Sequence, residues 1–165
     1  MKPTLSHHGF KTRKGKYVPI NVRKYIGNPD QIYYRSGLER RVCEWCDITP
    51  AVEMWGSEEV SVPYISMLDG KQHRYFIDFV IKMRNKEGKP LMFLVEVKPE
   101  KQCHLPSVQA DAPQVSIKSQ RRRMAATLEY GRNVSKWNAA IKYANTSGMV
   151  FEIWSEPTLR RLGIL

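Results

Sequence analysis

Acidic residues and long apolar runs are both scarce in this sequence. Lys and Arg number 27 against 16 Asp and Glu, so the formal net charge is +11. No apolar run is long enough to span a bilayer and no secretory signal is recognisable, so we expect an intracellular protein without a membrane part. A hydrophobic fraction of 42% still predicts a folded chain. The positive charge favours a polyanionic partner such as nucleic acid, with ribosomal, capsid and membrane-surface proteins as competing classes.

Cysteine is scarce as well, and its count argues against disulfide bonds. The chain has three cysteines, an odd number, in a sequence without an export signal. Cys43 and Cys46 form a CxxC pair, and Cys103 with His104 could complete a zinc set. A structural zinc site places its CxxC pair on a knuckle or ribbon turn, whereas this pair lies inside a predicted helix. We therefore expect Cys43 and Cys46 to be buried, reduced thiols.

Acidic residues are almost absent from the first 35 positions, where Asp30 is the only one. The same segment carries many basic and tyrosine residues: Lys2, Lys11, Arg13, Lys14, Lys16, Arg23, Lys24 and Arg35, with Tyr17, Tyr25, Tyr33 and Tyr34. So many aromatics argue against a purely disordered tail. We expect residues 1–35 to form a basic N-terminal arm whose first dozen residues are mobile and whose remainder packs on a domain of residues 36–165.

The remaining sequence predicts an α/β fold. The expected elements are a helix at 36–47, strands at 60–64, 73–83 and 91–97, helices near 116–131 and 135–147, a strand at 149–154 and a closing helical turn. A capping-box pattern from Ser36 to Glu39 predicts the start of the first helix. The helical periodicity of this segment places Asp47 on its outer face. The later helix is expected to bury Trp137 and Ile141. We predict an antiparallel three-strand meander that gains a fourth strand through a right-handed helical crossover.

Two carboxylates on the predicted strands lack an obvious compensating partner. Strict alternation places Asp78 on one strand face with Phe76 and Val80, and places Tyr75 on the opposite face. Glu96 on the third strand lies between apolar neighbours in the same way. An unpaired buried carboxylate costs several kcal/mol, and two converging carboxylates repel unless a proton or metal lies between them. The pattern therefore favours a bound cation with oxygen ligands.

This pattern points to phosphodiester hydrolysis. Mg²⁺, for which Mn²⁺ could substitute, suits carboxylate ligands from Asp78 and Glu96. Lys98 would stand beside the metal, and Glu39 could approach from the first helix. Each residue also has a structural explanation. Glu39 could only close its capping box, Glu96 and Lys98 could be a solvated pair on an edge strand, and Asp78 could simply bond a backbone N–H.

The same residues resemble the core of the PD-(D/E)XK nuclease superfamily. Glu39 lies on a first helix, Asp78 on a second strand and Glu96-Val97-Lys98 on a third, although Ile77 replaces the nominal proline of the motif. The resemblance implies a restriction-endonuclease-like αβββαβ core, with a mixed sheet flanked by helices. It also implies catalytic or metal-binding roles for these residues, including the Val97 backbone carbonyl.

A broader similarity extends over nearly the whole chain. The segments KYVPINVRKYIGNP, IYYRSGLER, WGSE, VPY, RYFIDF and VEVKP, in this order, resemble the head completion nucleases of T-even-like tailed bacteriophages. The resemblance implies action on packaged DNA or filled heads before tail attachment, in the host cytoplasm or at the head–neck junction, with head or neck proteins as partners. Glu58 in WGSE could be a further carboxylate at the site, but a residue of the helix-to-strand loop is the favoured interpretation.

DNA contacts are expected to come from cations, because no base-reading motif is recognisable. The candidates are Lys11, Arg13, Lys14, Lys16, Arg121, Arg122 and Arg123. On a half-buried helix, Arg121 and Met124 cannot both be exposed, so one arginine could pair internally.

We predict a Mg²⁺-dependent DNA endonuclease with weak sequence specificity. A catalytically silent structural or DNA-plugging head protein and a structure-selective nuclease trimming branches or ends are the alternatives. Monomer and dimer both stay open.

Overall fold

The computed structural model describes residues 14–107 and 116–165. The regular elements are β1 (Gly15–Lys16), β2 (Tyr33–Tyr34), α1 (Gly37–Ile48), β3 (Val52–Ile65), β4 (Gln72–Arg84), β5 (Pro90–Val97), α2 (Ile117–Thr146), β6 (Val150–Trp154) and α3 (Glu156–Arg161). Within these described ranges, no helix is both long and apolar enough to cross a membrane. The expected mobility of the first dozen residues concerns positions outside the described part of the chain.

One mixed sheet organises the fold, with strand order β3-β4-β5-β6. The first three strands form the predicted antiparallel meander, and β6 joins β5 in parallel after the α2 crossover. Adjacent residues of β4 reach opposite sides of this sheet. Phe79 lies in a core cluster with Val42 of α1, whereas Val80 lies in a second cluster with Ala140 of α2. The predicted α/β architecture with helices flanking a mixed sheet is therefore confirmed.

The first helix forms where the capping box predicts it. Ser36 is its N-cap, and the Ser36 hydroxyl accepts a hydrogen bond from the Glu39 backbone N–H at 3.1 Å. Cys43 and Cys46 are buried free thiols on this helix, as expected. Burial raises the pKa of both thiols, since a thiolate would lose its hydration there. The thiols therefore belong to the apolar core.

The predicted strict alternation along β4 is wrong on the N-terminal side of Asp78. Tyr75 and Ile77 share a core cluster with Val80 and Leu94, not with Phe79. The cause is an irregular register with β3, because Ser57 pairs with Phe79 but Val60 pairs with Ile77. One extra β3 residue in this interval makes a bulge, and bulges increase local twist and redirect side chains. The bulge brings Tyr75 to the side of the sheet that carries Glu96.

The two helices expected at 116–131 and 135–147 are one continuous helix, α2. A Cβ placed on Gly131 would lie 3.0 Å from the Met67 sulfur, so this glycine permits close packing rather than ending the helix. The expected burial of Ile141 is also wrong, since its side chain is 43% exposed. Arg121 and Met124 are both exposed, because the N-terminal half of α2 extends beyond the core.

Asp47 is completely buried, which contradicts its expected place on the outer face of α1. Its carboxylate accepts hydrogen bonds from the Tyr17 hydroxyl at 2.9 Å and from the backbone N–H groups of Ile20 at 2.7 Å and Asn21 at 2.9 Å. These donors come from a segment 26 to 30 residues earlier in the chain. They replace the water that the carboxylate loses on burial, and they fix this segment against α1.

We predict that Asp47→Ala lowers the free energy of unfolding by about 3 kcal/mol, because it leaves three donors without their acceptor. Urea unfolding followed by circular dichroism measures this loss. Asp30→Ala removes the same charge at an exposed position and is expected to change stability by less than about 0.5 kcal/mol. Equal effects of the two substitutions would contradict the anchoring role of Asp47.

Candidate active site

The middle of β4 and the C-terminal end of β5 bring Asp78 and Glu96 together. The pairing between β4 and β5 runs from Arg84 and Pro90 to Phe79 and Val95, just before these carboxylates. Beyond that point, the Val97 backbone N–H donates to Asp78 Oδ2 at 2.8 Å. A side-chain carboxylate thus satisfies a backbone donor that the ladder leaves free. This bond fixes Asp78 beside the strand that carries Glu96.

Glu96 is only 3% exposed, and both of its oxygens have donors. The Tyr75 hydroxyl donates to Oε2 at 2.6 Å, and the Lys98 ammonium lies 3.0 Å from Oε1. Lys98 keeps more solvent access, and its backbone N–H donates to the Trp154 carbonyl of β6 at 3.2 Å. The structure thus brings Asp78, Glu96 and Lys98 into one site on adjacent strands.

Tyr75 is a residue of the candidate site that sequence reasoning missed. Strict alternation assigned it to the opposite face from Asp78, so no role at the site was considered. Its hydroxyl instead bonds Glu96, and the ammonium of Lys136 on α2 lies 5.6 Å from the centre of its ring. Gly56, just before the β3 bulge that redirects Tyr75, is a sequence signal of this irregularity, because its missing Cβ leaves room for Glu59. It does not indicate which β4 side chains the bulge redirects.

The site holds more negative than positive charge. The pKa of Asp78 is raised well above its usual value, first by loss of hydration and then by the charge of Glu96, while the Val97 N–H opposes the rise. Burial alone would lower the pKa of Lys98, but Glu96 and Asp78 raise it overall. Lys98 is therefore a cation at neutral pH. At the centre of the site, one ammonium thus faces two carboxylates, and the charge of Glu96 makes Asp78 harder to ionise.

Glu39 closes the capping box of α1 and also lies near this site. Its Oε2 accepts from the Arg35 backbone N–H at 2.7 Å, and its Oε1 accepts from the Ser36 hydroxyl at 2.9 Å. Its charge contributes to the raised pKa of Asp78, although less than Glu96 does. Both carboxylate oxygens thus accept hydrogen bonds at the N-terminus of α1, while the charge of Glu39 acts on Asp78 at the centre of the site.

Glu58 lies inside β3, so its expected place in a helix-to-strand loop is wrong. It occupies the bulge with φ of 56°, which is unusual for a residue other than glycine. Arg35 forms an ion pair with it at 2.8 Å. Burial raises the pKa of Glu58, Arg35 opposes this, and Glu39 and Glu96 add to the rise. The bulge therefore places a fourth carboxylate at the edge of the site.

Among the described residues, the predicted DNA-binding cations lie on two separate elements. Lys14 and Lys16 are exposed beside the β1–β2 ribbon, whereas the run from Arg121 to Arg123 lies on the projecting part of α2. Successive helical residues differ by about 100° in direction, so these three arginines point to different sides. Lys11 and Arg13 lie outside the described residues.

The carboxylates fit a hard divalent cation in their chemistry. Buried, anionic oxygen donors are what such ions select, and Mg²⁺ often takes only one or two carboxylates, with water and substrate phosphate completing its shell. Within residues 14–107 and 116–165, no group of three or more His, Cys, Asp or Glu side chains is arranged to hold a metal ion. A cation here would therefore rest chiefly on Asp78 and Glu96.

Comparisons with known proteins identify relatives of this chain. A family model described as "TnsA-like endonuclease N terminal" matches residues 49–156, a span that includes Asp78, Glu96 and Lys98 but not Glu39. The head completion nuclease of Enterobacteria phage T4 is 38% identical over 149 residues, covering 90% of this chain and 95% of that protein. No solved structure matches. The chain belongs to the TnsA-like endonuclease N-terminal family, a nuclease family with the restriction-endonuclease-like fold that the resemblance implied.

Proposed function

We propose that this chain is a metal-dependent DNA endonuclease that hydrolyses phosphodiester bonds in phage head completion. The observation that carries the proposal is the meeting of Asp78 of β4 with Glu96 and Lys98 at the end of β5, in a member of a nuclease family. A chain that kept only a structural or plugging role would not need to retain a buried anionic pair beside a lysine. The relative named as a head completion nuclease supports the place of this activity in phage assembly.

Asp78 and Glu96, with the Val97 carbonyl, are the proposed ligands of Mg²⁺, and Mn²⁺ is expected to substitute. When bound, such an ion supplies a water nucleophile usable near neutral pH and neutralises charge on the scissile phosphate. Val97 N–H and Tyr75 hold the two carboxylates in place. Because its pKa is raised, Lys98 stays protonated and stabilises negative charge developing on the phosphate, rather than acting as a base.

The DNA is proposed to be held mainly through its phosphates. A chain with a net charge of +11 gains much of its affinity for DNA from counterion release. Within the described residues, the proposed contacts are Lys14, Lys16 and at least one member of the arginine run of α2, and Lys11 and Arg13 belong to the same proposal. Phosphate contacts carry no base information, so cleavage should show weak sequence preference.

Substitution at the centre of the site tests the proposal directly. We expect Asp78→Asn, Glu96→Gln and Lys98→Gln each to lower plasmid nicking and linearisation by at least about 100-fold. The first two substitutions remove the charge of a proposed metal ligand, and the third removes the cation that acts on the reacting phosphate. The assay contains Mg²⁺ or Mn²⁺, and chelation by EDTA should abolish cleavage by the unaltered chain.

Glu87→Gln is the matched control, because it removes one negative charge in an exposed turn and should leave cleavage unchanged. Cleavage that survives Asp78→Asn would place the active site elsewhere. An unaltered chain that binds DNA but never cuts it, with either metal, would favour the plugging role instead.

Tyr75→Phe tests how Glu96 is positioned. Loss of the hydroxyl removes one of the two bonds that orient this carboxylate, and loss of such supporting bonds typically weakens metal binding by about 10- to 100-fold. Titration of Mn²⁺ followed by electron paramagnetic resonance measures affinity without DNA or turnover. Tyr143→Phe, at an exposed position of α2, is expected to bind Mn²⁺ normally. Unchanged or tighter binding in Tyr75→Phe would refute a positioning role.

Glu39→Gln separates the capping role from the electrostatic role. Glutamine keeps an acceptor for the Arg35 N–H but loses the charge that reaches Asp78. We expect unfolding stability within about 0.5 kcal/mol of the unaltered chain and cleavage lowered about tenfold. Denaturant unfolding and plasmid cleavage give the two values. A loss as large as that of Asp78→Asn would make Glu39 a direct ligand, and no loss would leave it only a cap.

A further inference from the structure

The N-terminal half of α2 leads away from the candidate active site into solvent. Between Ile117 and Glu129 every side chain is exposed except that of Arg123, which is half-buried. Only from Asn133 onward does the helix bury residues against the sheet. The exposed half contains Lys118 and the arginine run but no acidic residue before Glu129. This exposed half is therefore a cationic helical segment about 18 Å long, and the remainder of α2 packs over the site.

Two residues of α2 show which side of this helix faces the site. The Lys136 ammonium lies 5.6 Å from the ring centre of Tyr75, whose hydroxyl bonds Glu96. Glu129 is near enough to Lys98 for its charge to add to the raised pKa of that lysine. Residues 129 and 136 are seven apart and thus share one side of the helix, about two turns from each other.

The same side can be followed into the exposed half. Arg122 is seven residues before Glu129, and Lys118 is four residues before Arg122, so both stay within about 40° of the line through Glu129 and Lys136. Arg121 and Arg123 are turned about 100° from Arg122 in opposite directions. Glu129 itself is paired with Arg132, which offsets its charge on this line. One side of α2 thus presents Lys118, Arg122 and Lys136 in a row that ends at the site.

We propose that Arg122 and Lys118 bind backbone phosphates of the DNA duplex on one side of the cleavage point, and that Lys136 continues this row to the site. The inference rests on the proposed nuclease function. Of the three arginines in the run, it assigns phosphate binding to Arg122 alone. Along the helix, Arg122 and Lys118 lie about 10 and 16 Å beyond Glu129. At about 3.4 Å per base pair, these spacings correspond to contacts roughly three and five base pairs from the site.

The salt dependence of DNA binding tests this assignment. The full chain is titrated with a fluorescent 30-base-pair duplex of mixed sequence, in EDTA to prevent cleavage, at a series of KCl concentrations. Each phosphate contact adds about 0.9 to the slope of log affinity against log salt. We expect Arg122→Gln and Lys118→Gln each to bind more weakly and to lower the slope by about 0.9, and Arg121→Gln to lower it by much less.

The comparison is matched, because each variant loses one positive charge on the same exposed helix. Lys142→Gln, on the opposite side of α2 and close to its C-terminal end, controls for net charge and should keep the slope of the unaltered chain. Circular dichroism confirms that the variants fold.

Equal losses in all four variants, or a larger loss for Arg121→Gln, would overturn the inference, and so would an unaltered chain that does not bind duplex DNA. Failure of the nuclease function gives a different result. In that case the unaltered chain binds DNA and shows the expected differences between variants, yet does not cleave with Mg²⁺ or Mn²⁺. If it cleaves while all variants bind alike, the nuclease function stands and the phosphate row is wrong.

Discussion

The repulsion between two converging carboxylates is the constraint around which this structure is arranged. Asp78 and Glu96 lie where water cannot fully solvate them, and each charge makes the other harder to ionise. The Val97 backbone N–H bonds Asp78, and the Tyr75 phenol and the Lys98 ammonium bond Glu96. Among the described residues, these contacts supply one positive charge for the two carboxylates. The proposed metal site rests on this arrangement.

Local signals were sufficient to predict the framework of the fold. Ser36 and Glu39 mark the start of α1 because a capping box acts between residues three apart. The Asp69-Gly70 turn joins β3 to β4, and Gly70 takes the positive φ that such turns require. The parallel entry of β6 follows from a helical crossover, which can return to the sheet in few ways. Asp78, Glu96 and Lys98 could be singled out because charges in apolar strands need compensation.

The features that could not be predicted depend on contacts between distant segments. Asp47 carries no mark of burial, since its donors come from Tyr17, Ile20 and Asn21. The predicted separation of two helices between residues 131 and 135 does not occur, and Gly131 lies inside α2 close to the Met67 sulfur. The bulge at Glu58 places a non-glycine residue at positive φ, which sequence propensity disfavours. That bulge also redirects Tyr75, so one local irregularity explains why the strand position of Glu58 and the contact of Tyr75 with Glu96 were not predicted.

The backbone of Lys98 is hydrogen-bonded to Trp154 of β6, and the strand before it is paired on both sides. The ammonium group therefore sits on a scaffold that cannot swing open or closed in the manner of a loop or lid. DNA that binds at so rigid a site, as proposed, must itself bend or unwind to fit it. Under the proposed nuclease function, DNA sequences or junctions that bend, fray or unwind most easily are then expected to be cut first.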